Sequence, residues 1–469
     1  MSATRSAAEP STGTSLQGAE PELAKGKISA GQALFFGLTA LGIASVISGF
    51  GATLVVASGN SSWLAMIIGA VVVFLLGFIV VRFSKRHLTT GSIMSYLDLE
   101  IGPRAGVLGG AALFVGYIAV MILFVGLSLI FLVSFLGGFG IDMSSTPLQA
   151  LLGAVLVAGC VLLARCGVTV SVNTSIVLGW ICVPFAIFIL IAAVVHSGID
   201  FTAQLSLEGF SLETFIPGFI LAYGAFAGFE GFTALAQETA DPRRTIPKIV
   251  MSIIAVIAGV GIVSVFLTVP IMTANIDQVL AGASPLYLLS QVGQVGGLGT
   301  FTDALMFLAS VGSLLAYITD AGRIFGTAGR DGILPKSLGH IHEKHRTPAR
   351  AIAFVGTSGM LVFVAYLLIT GEPIYLAFVN FALVTSYSWS VAYLALTWAG
   401  VVDGVRTRSP WFTTGSMIAG LVVLFALVMS VVSGNIAVPI VTLAVIAALW
   451  IAGIVSRRSV RVTEASETL

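Results

Sequence analysis

The stretch Tyr223-Gly224-Ala225-Phe226-Ala227-Gly228-Phe229-Glu230-Gly231 sets three glycines and a carboxylate inside an apolar run over residues 214–237. A helix crosses the hydrocarbon of a bilayer with about 20 apolar residues, so the run is long enough to span. An ionised carboxylate in mid-span costs on the order of 2.5–3.5 kcal/mol on insertion scales, so Glu230 must face protein or water. A second cluster, Gly42-Ile43-Ala44-Ser45-Val46-Ile47-Ser48-Gly49-Phe50-Gly51, lies in the apolar run 33–57. A lone glycine in a membrane helix usually just lets helices pack closely. Two glycine-interrupted spans in corresponding positions of two halves point instead to a transporter site. There, an unwound stretch exposes N–H groups at one half-helix end and C=O groups at the other. These groups bind a carboxylate and an ammonium with the help of the helix dipoles, and no charged side chain is needed.

The rest of the chain has the composition of a membrane protein. Of its 469 residues, 57% are hydrophobic and 9% charged, against about 25% charged in a soluble chain. Twelve apolar runs have cores at 33–57, 62–81, 105–136, 147–165, 173–196, 214–237, 248–272, 301–325, 351–370, 374–398, 412–432 and 436–455. Backbone groups must be satisfied within lipid, so these runs are expected to be helices. Starting the first helix in the cytoplasm puts all 22 Lys and Arg on the inside, from Arg5 to Arg461, and leaves only acids such as Asp142, Asp200, Glu208, Asp277 and Glu372 outside. That is the positive-inside rule without exception, and it predicts a multi-pass protein of the cell's inner (plasma) membrane with both termini cytoplasmic.

Other chemistries find little support. The net charge of +1 offers nothing for nucleic acid. Cys160, Cys166 and Cys182 match no zinc spacing and read as small apolar residues. His340-Ile341-His342-Glu343-Lys344-His345 lacks the two residues that a zincin places between Glu and the second His, and reads as a solvated loop. No Walker motif is present, and no cofactor or metal is expected. A membrane-embedded enzyme would need clustered His, Asp or Cys within the spans, and a channel fits a lone carboxylate between two broken helices less well than alternating access does.

Residues Phe226 to Gly231, followed by Gln237-Glu238-Thr239-Ala240-Asp241-Pro242-Arg243-Arg244-Thr245-Ile246-Pro247, resemble the sixth-helix signature of amino acid–polyamine–organocation permeases. Asp320-Ala321-Gly322-Arg323, continuing through Gly329-Arg330-Asp331-Gly332-Ile333-Leu334-Pro335 to Thr347-Pro348, resembles their eighth helix and the loop after it. The resemblance implies an all-α membrane protein of twelve transmembrane helices with the leucine-transporter fold. Residues 31–198 and 199–398 would form inverted repeats of five helices each. Residues 399–456 would add helices 11 and 12, and 1–30 (disordered) and 457–469 would be cytoplasmic tails. It also implies a secondary transporter, symporter or exchanger, for a small amino acid. Val46-Ile47-Ser48-Gly49 and Glu230-Gly231 look more like the ethanolamine permease branch, so an amine or amino alcohol is the alternative cargo.

On this resemblance the substrate would meet Ile47, Ser48, Gly49, Phe50 and Gly51 in the first span, Tyr117 in the third, and Phe226, Ala227, Gly228 and Phe229 in the sixth. Glu230 would be a coupling or gating carboxylate. Ser310 and Ser313 could help to hold an ion, with proton coupling expected over sodium because of Glu230. Plain helix packing is the competing reading for Tyr117, Ser310, Ser313 and the phenylalanines. Asp320 and Arg323, three apart, are expected to form an ion pair on one helix face. Glu238, Asp241, Arg243 and Arg244 are expected in a solvated helix end and loop, and Asp303 close to water at the outer end of its span.

Overall fold

A computed structural model describes residues 23–432 and 436–467. The first half comprises α1 (Ala30–Ala40), α2 (Ile43–Ser48), α3 (Phe50–Ser58), α4 (Ser62–Arg86), α5 (Ser92–Glu100), α6 (Pro103–Gly137), α7 (Thr146–Arg165), α8 (Val168–Trp180) and α9 (Val183–His196). Next come α10 (Thr202–Leu205), α11 (Leu212–Gly224), α12 (Pro242–Ala274), α13 (Ile276–Leu280), α14 (Pro285–Val292) and α15 (Gly296–Arg330). The chain ends with α16 (Ala349–Thr370), α17 (Ile374–Arg406), α18 (Pro410–Val432) and α19 (Ala437–Glu467). Several helices start with proline in the first turn, where its missing N–H costs nothing, as in α6, α7, α12 and α18. Ten helices among the described residues are long and apolar enough to cross a membrane, with Phe50–Arg86 and Val168–His196 each taken as continuous. The two shorter apolar helices, α1 and α11, fall where the first and sixth spans were expected.

Both of those spans are broken. After α1 the chain reverses its helical sense for one residue at Gly42 (φ 66°, ψ 49°) and restarts as α2. A side chain rarely adopts this left-handed conformation, and the ring of Phe124 lies 3.2 Å from where a Cβ would stand. After α11 the backbone tightens into i→i+3 bonds: Phe226 N–H to Tyr223 O (3.1 Å), Ala227 to Gly224 (2.9 Å), Phe229 to Phe226 (3.0 Å) and Gly231 to Gly228 (2.8 Å). A 3₁₀ turn over Gly231–Leu235 follows. Gly228, at φ 90°, supplies the one conformation in this stretch that only glycine adopts without strain.

Helix α6 runs through the middle of the bundle, packed along α15 and α17, and α12 lies against α4. Basic side chains gather at one end of the bundle. Asp403 holds both Arg82 and Arg86 at 2.6 Å, Glu100 holds His87 at 2.8 Å, and Asp98 holds Arg457 at 3.0 Å. Arg82 also lies over the ring of Phe412.

Three expected connections differ from the sequence reading. The segment between the second and third spans is not a plain loop, because α5 turns back into the bundle and buries Ser92 to Leu97. The expected disordered tail over 1–30 is docked from residue 23 onward: Leu23 and Ile28 are buried, and Ile28 pairs with Thr239 as a β-bridge, donating to Glu238 O (2.9 Å) and accepting from Ala240 N–H (3.0 Å). Residues 1–22, including Arg5, lie outside the described residues. At the other terminus the tail expected from Arg457 continues α19 to Glu467.

Gly42→Ala should therefore destabilise the protein by about 1–2 kcal/mol through the left-handed backbone alone. Gly31→Ala, in the first turn of α1 with open space around it, should be neutral or slightly stabilising. Thermal melts of the two purified variants in detergent should rank Gly42→Ala clearly below Gly31→Ala, and equal melting temperatures would contradict the break at Gly42.

Candidate functional site

A cavity of about 100 Å³ lies where the two broken helices face each other. Gly42, Ser45, Val46 and Phe50 line it from the first span, and Gly224, Ala225 and Ala227 from the sixth. Phe124 and Val120 of α6, Tyr317 of α15, and Phe378, Thr385 and Ser386 of α17 complete the wall. No acidic or basic side chain lines it. A second cavity of about 70 Å³ shares Ser45, Phe50, Thr53, Leu127 and Phe378 with the first, and extends past Pro285 and Tyr375 toward the end of the bundle without the basic cluster.

Side-chain hydroxyls take up the backbone groups that the breaks release. Ser313 donates to Thr39 O (2.6 Å) just ahead of the first break. Tyr317 donates to Ala227 O (2.6 Å) in the sixth. Ser92, at the start of α5, donates to Glu230 O (3.3 Å), and Ser264 of α12 donates to Val46 O (2.9 Å). In a span, an unmade bond of this kind costs several kcal/mol.

Toward the basic end the cavity floor is aromatic. Tyr317 stacks on Phe124 with centroids 5.5 Å apart and meets Tyr117 at 5.9 Å, and Tyr117 meets Trp389 at 5.2 Å. Glu230 sits beyond this layer, fully buried, and accepts from Trp389 Nε1 (2.8 Å) and the Tyr393 hydroxyl (3.1 Å). Eight residues further along the chain, Glu238 forms a bidentate ion pair with Arg323 in which both side chains have no exposure. Arg323 Nη1 also donates to Thr319 O (2.8 Å).

The structure sorts the candidate residues as follows. Phe50 and Ala227 line the inner cavity, and Gly49 lines the outer one. Ser48 turns away, donating to Ala44 O (2.7 Å) and facing Met306. Ile47 is buried in the core, and Gly51 packs against Thr268. Tyr117, Phe226 and Phe229 are buried outside the cavity wall, and Gly228 lies against Tyr317. Ser310 donates to Met306 O within its own helix (2.9 Å). The first span is thus interrupted twice, at Gly42, where the backbone is left-handed, and at Gly49 (φ −130°) between α2 and α3, and both places border the cavities.

Three charge assignments need correction. Arg323 pairs with Glu238 and not with Asp320. Glu238 is buried rather than solvated: its side chain is paired with Arg323, and its backbone carbonyl accepts from the bridging Ile28 N–H. Asp303 does not reach water: it is buried between Ser134 (2.5 Å) and Ser284 (2.6 Å), which donate to its two oxygens. Sequence reading also missed Tyr317, Trp389 and Tyr393. The last two stand four residues apart on one face of a span, and polar-tipped aromatics buried in lipid need hydrogen-bond partners.

Two broken helices enclosing an uncharged cavity, with a carboxylate held just beyond it, define a polytopic membrane protein of the broken-helix class. Residues 33–462 match the Amino acid permease family, and the chain belongs to it. Over 184 residues it is 29% identical to the low-affinity putrescine importer PlaP of Escherichia coli K12, an overlap of 37% of this chain and 39% of the importer, so the match spans well under half of that relative. Over 368 residues it is 26% identical to the branched-chain amino acid permease BcaP of Bacillus subtilis, covering 70% of this chain and 73% of the permease. These relatives are permeases and importers, not enzymes. In fold it resembles MhsT in complex with L-phenylalanine, with a TM-score of 0.57 over 87% of this chain and 99% of MhsT at 14% identity.

Tyr317→Phe keeps the ring against Phe124 but leaves Ala227 O without its donor. It should cost about 1–3 kcal/mol, read as a lower melting temperature in detergent. Phe124→Leu, which spares the bond, should cost less if the bond rather than the stacking holds the sixth break.

Proposed function

We propose that the chain is a secondary active transporter of a small amino acid, working by alternating access and driven by protons or by exchange. The observation that carries this reading is the cavity between the two breaks. The positive end of α2 and the negative end of α11 both face it. A carboxylate at the first and an ammonium at the second would be held without any charged side chain, as the lining requires. A cavity of about 10–15 Å³ holds one water, so one of about 100 Å³ suits a small solute.

The resemblance to a bilayer protein of twelve spans extends this reading. Spans 1–5 and 6–10 would be inverted repeats, each opening with a broken helix, with spans 11 and 12 outside them. The basic end would face the cytoplasm of the inner (plasma) membrane with both termini inside, following the charge rule. The inner cavity then continues outward, and the Glu238–Arg323 pair with the docked strand closes the cytoplasmic side.

Protons fit better than sodium. Glu230 is the carboxylate nearest the sixth-helix break on the chain, and it can carry a proton through the cycle. A second reading, an amine cargo such as putrescine or ethanolamine, is favoured by the likeness to a putrescine importer. It would use the α11 end alone.

A thermal-shift screen separates the cargoes. A ligand at 100 times its dissociation constant adds about 2.7 kcal/mol to the state it binds. We expect L-alanine or another small amino acid to raise the melting temperature, with putrescine and ethanolamine leaving it unchanged. The reverse pattern would establish the amine reading, and no shift from any of them would count heavily against both. In proteoliposomes, Glu230→Gln should abolish accumulation driven by an inward proton gradient while substrate exchange persists. Full activity with an unchanged pH profile would sink the coupling role of Glu230.

A further inference from the structure

Glu230 is not the only enclosed carboxyl. Asp320, on α15, is 1% exposed, and its Oδ1 is buried without a hydrogen-bond partner among the described residues. The hydroxyl of Tyr117, on α6, is equally enclosed and equally unpartnered. The two groups converge on the same bare backbone: a Cβ at Gly231 would stand 2.5 Å from the Tyr117 hydroxyl and 3.4 Å from Asp320 Oδ2. Gly231 follows Glu230 directly, so the gap it leaves lies beside the carboxylate that Trp389 and Tyr393 hold.

The charges around Asp320 are few. Arg323 stands on its own helix, and Glu230 and Glu238 reach it from the sixth segment. Tyr117 approaches from α6, and Tyr317 lies one turn nearer the cavity on α15. The single guanidinium is committed to Glu238. Asp320 therefore has no ion pair, and its Oδ1 no donor, among the described residues, so only the field of a guanidinium already paired with Glu238 offsets the desolvation cost of ionising it. A neutral acid avoids that cost. A metal cation is a poor alternative, because it asks for about six oxygens. The gap presents a carboxyl and a phenol, and no group of three or more His, Cys, Asp or Glu among the described residues could hold a metal.

We propose that Asp320 is a second exchangeable-proton site: its carboxyl carries a proton in this conformation and gives it up, separately from Glu230, when water enters the gap at Gly231. The Tyr117 hydroxyl, which makes no direct hydrogen bond to it in this conformation, faces the same gap and orients that proton through the entering water. The site deepens the proton-coupled reading above, but it stands or falls on its own spectroscopic signal.

The test needs no transported substrate. Full-length protein in liposomes is titrated from acid to alkaline pH, in H2O and in D2O, while the infrared band of protonated carboxyl groups is followed. The expected result is a band that falls as pH rises, shifts in D2O, and is lost in Asp320→Asn. A separate component should be lost in Glu230→Gln. Tyr117→Phe, which keeps the carboxyl and removes only its neighbour's hydroxyl, should move the Asp320 component in frequency or midpoint and leave the Glu230 component in place. It also serves as the readout if Asp320→Asn does not fold. An Asp320 component missing at every pH, constant at every pH, or unmoved in Tyr117→Phe would overturn the proposal. Absence of a Glu230 component at every pH in the unsubstituted protein, with the Asp320 component present, would instead remove the coupling role assigned to Glu230 and leave Asp320 standing.

Discussion

A helix that stops in the middle of a bilayer must find partners for the backbone groups it releases, and this requirement organises the centre of the molecule. Water is absent there, so each unmade bond costs several kcal/mol. The partners come from neighbouring helices and from hydroxyls: Ser313 for Thr39, Tyr317 for Ala227, Ser264 for Val46 and Ser92 for Glu230. The breaks and these four donors form one unit. Moving α15 relative to the broken spans would disturb two of the bonds at once, since Ser313 and Tyr317 lie one turn apart on it.

The same economy governs charge. The cavity wall holds none, and Glu230 and Glu238 stand behind the aromatic layer of Tyr317, Tyr117 and Trp389. Glu230 has two donors, Glu238 has a guanidinium, and Asp303 on the opposite side has two serines. A zwitterion in the cavity would therefore meet helix dipoles at close range and side-chain charge only through rings. Binding and proton exchange would occupy separate layers of one stack, linked by Ala227, which lines the cavity while its carbonyl is held by Tyr317.

Much of this was legible in the sequence because lipid is an unforgiving solvent. Apolar runs of spanning length become helices, and Arg82, Arg86 and Arg457 meet Asp403 and Asp98 at one end of the bundle. The breaks were legible as glycine clusters, but their register was not. Of the glycines between 42 and 51, only Gly42 takes the left-handed backbone, and nothing local distinguishes it from Gly49 or Gly51. That choice rests on the Phe124 ring, which lies 82 residues away in the sequence. The pairing of Arg323 was misread for a similar reason. Spacing on α15 puts Asp320 within reach, but the partner that takes the guanidinium, Glu238, arrives on an irregular segment whose path periodicity cannot trace. The docking of Ile28 is a single β-bridge, too short to leave a pattern.

The Glu238–Arg323 pair constrains how the basic end can open. Parting a buried ion pair by removing one member typically costs about 3–5 kcal/mol, because the other is left charged and dry. Two partners drawn apart in a dry interior would each pay such a cost. They part cheaply only if water follows at once. Glu238 belongs to the sixth segment, whose backbone at that residue is tied to Ile28, while Arg323 belongs to the rigid length of α15. An opening that leaves the strand in place must therefore move the sixth segment and residues 23–30 together, away from α15, and wet the gap between them. The same water would reach Gly231 and Asp320, one turn back along α15 from Arg323. Hydration of the gate and access to the buried carboxyls are then a single event.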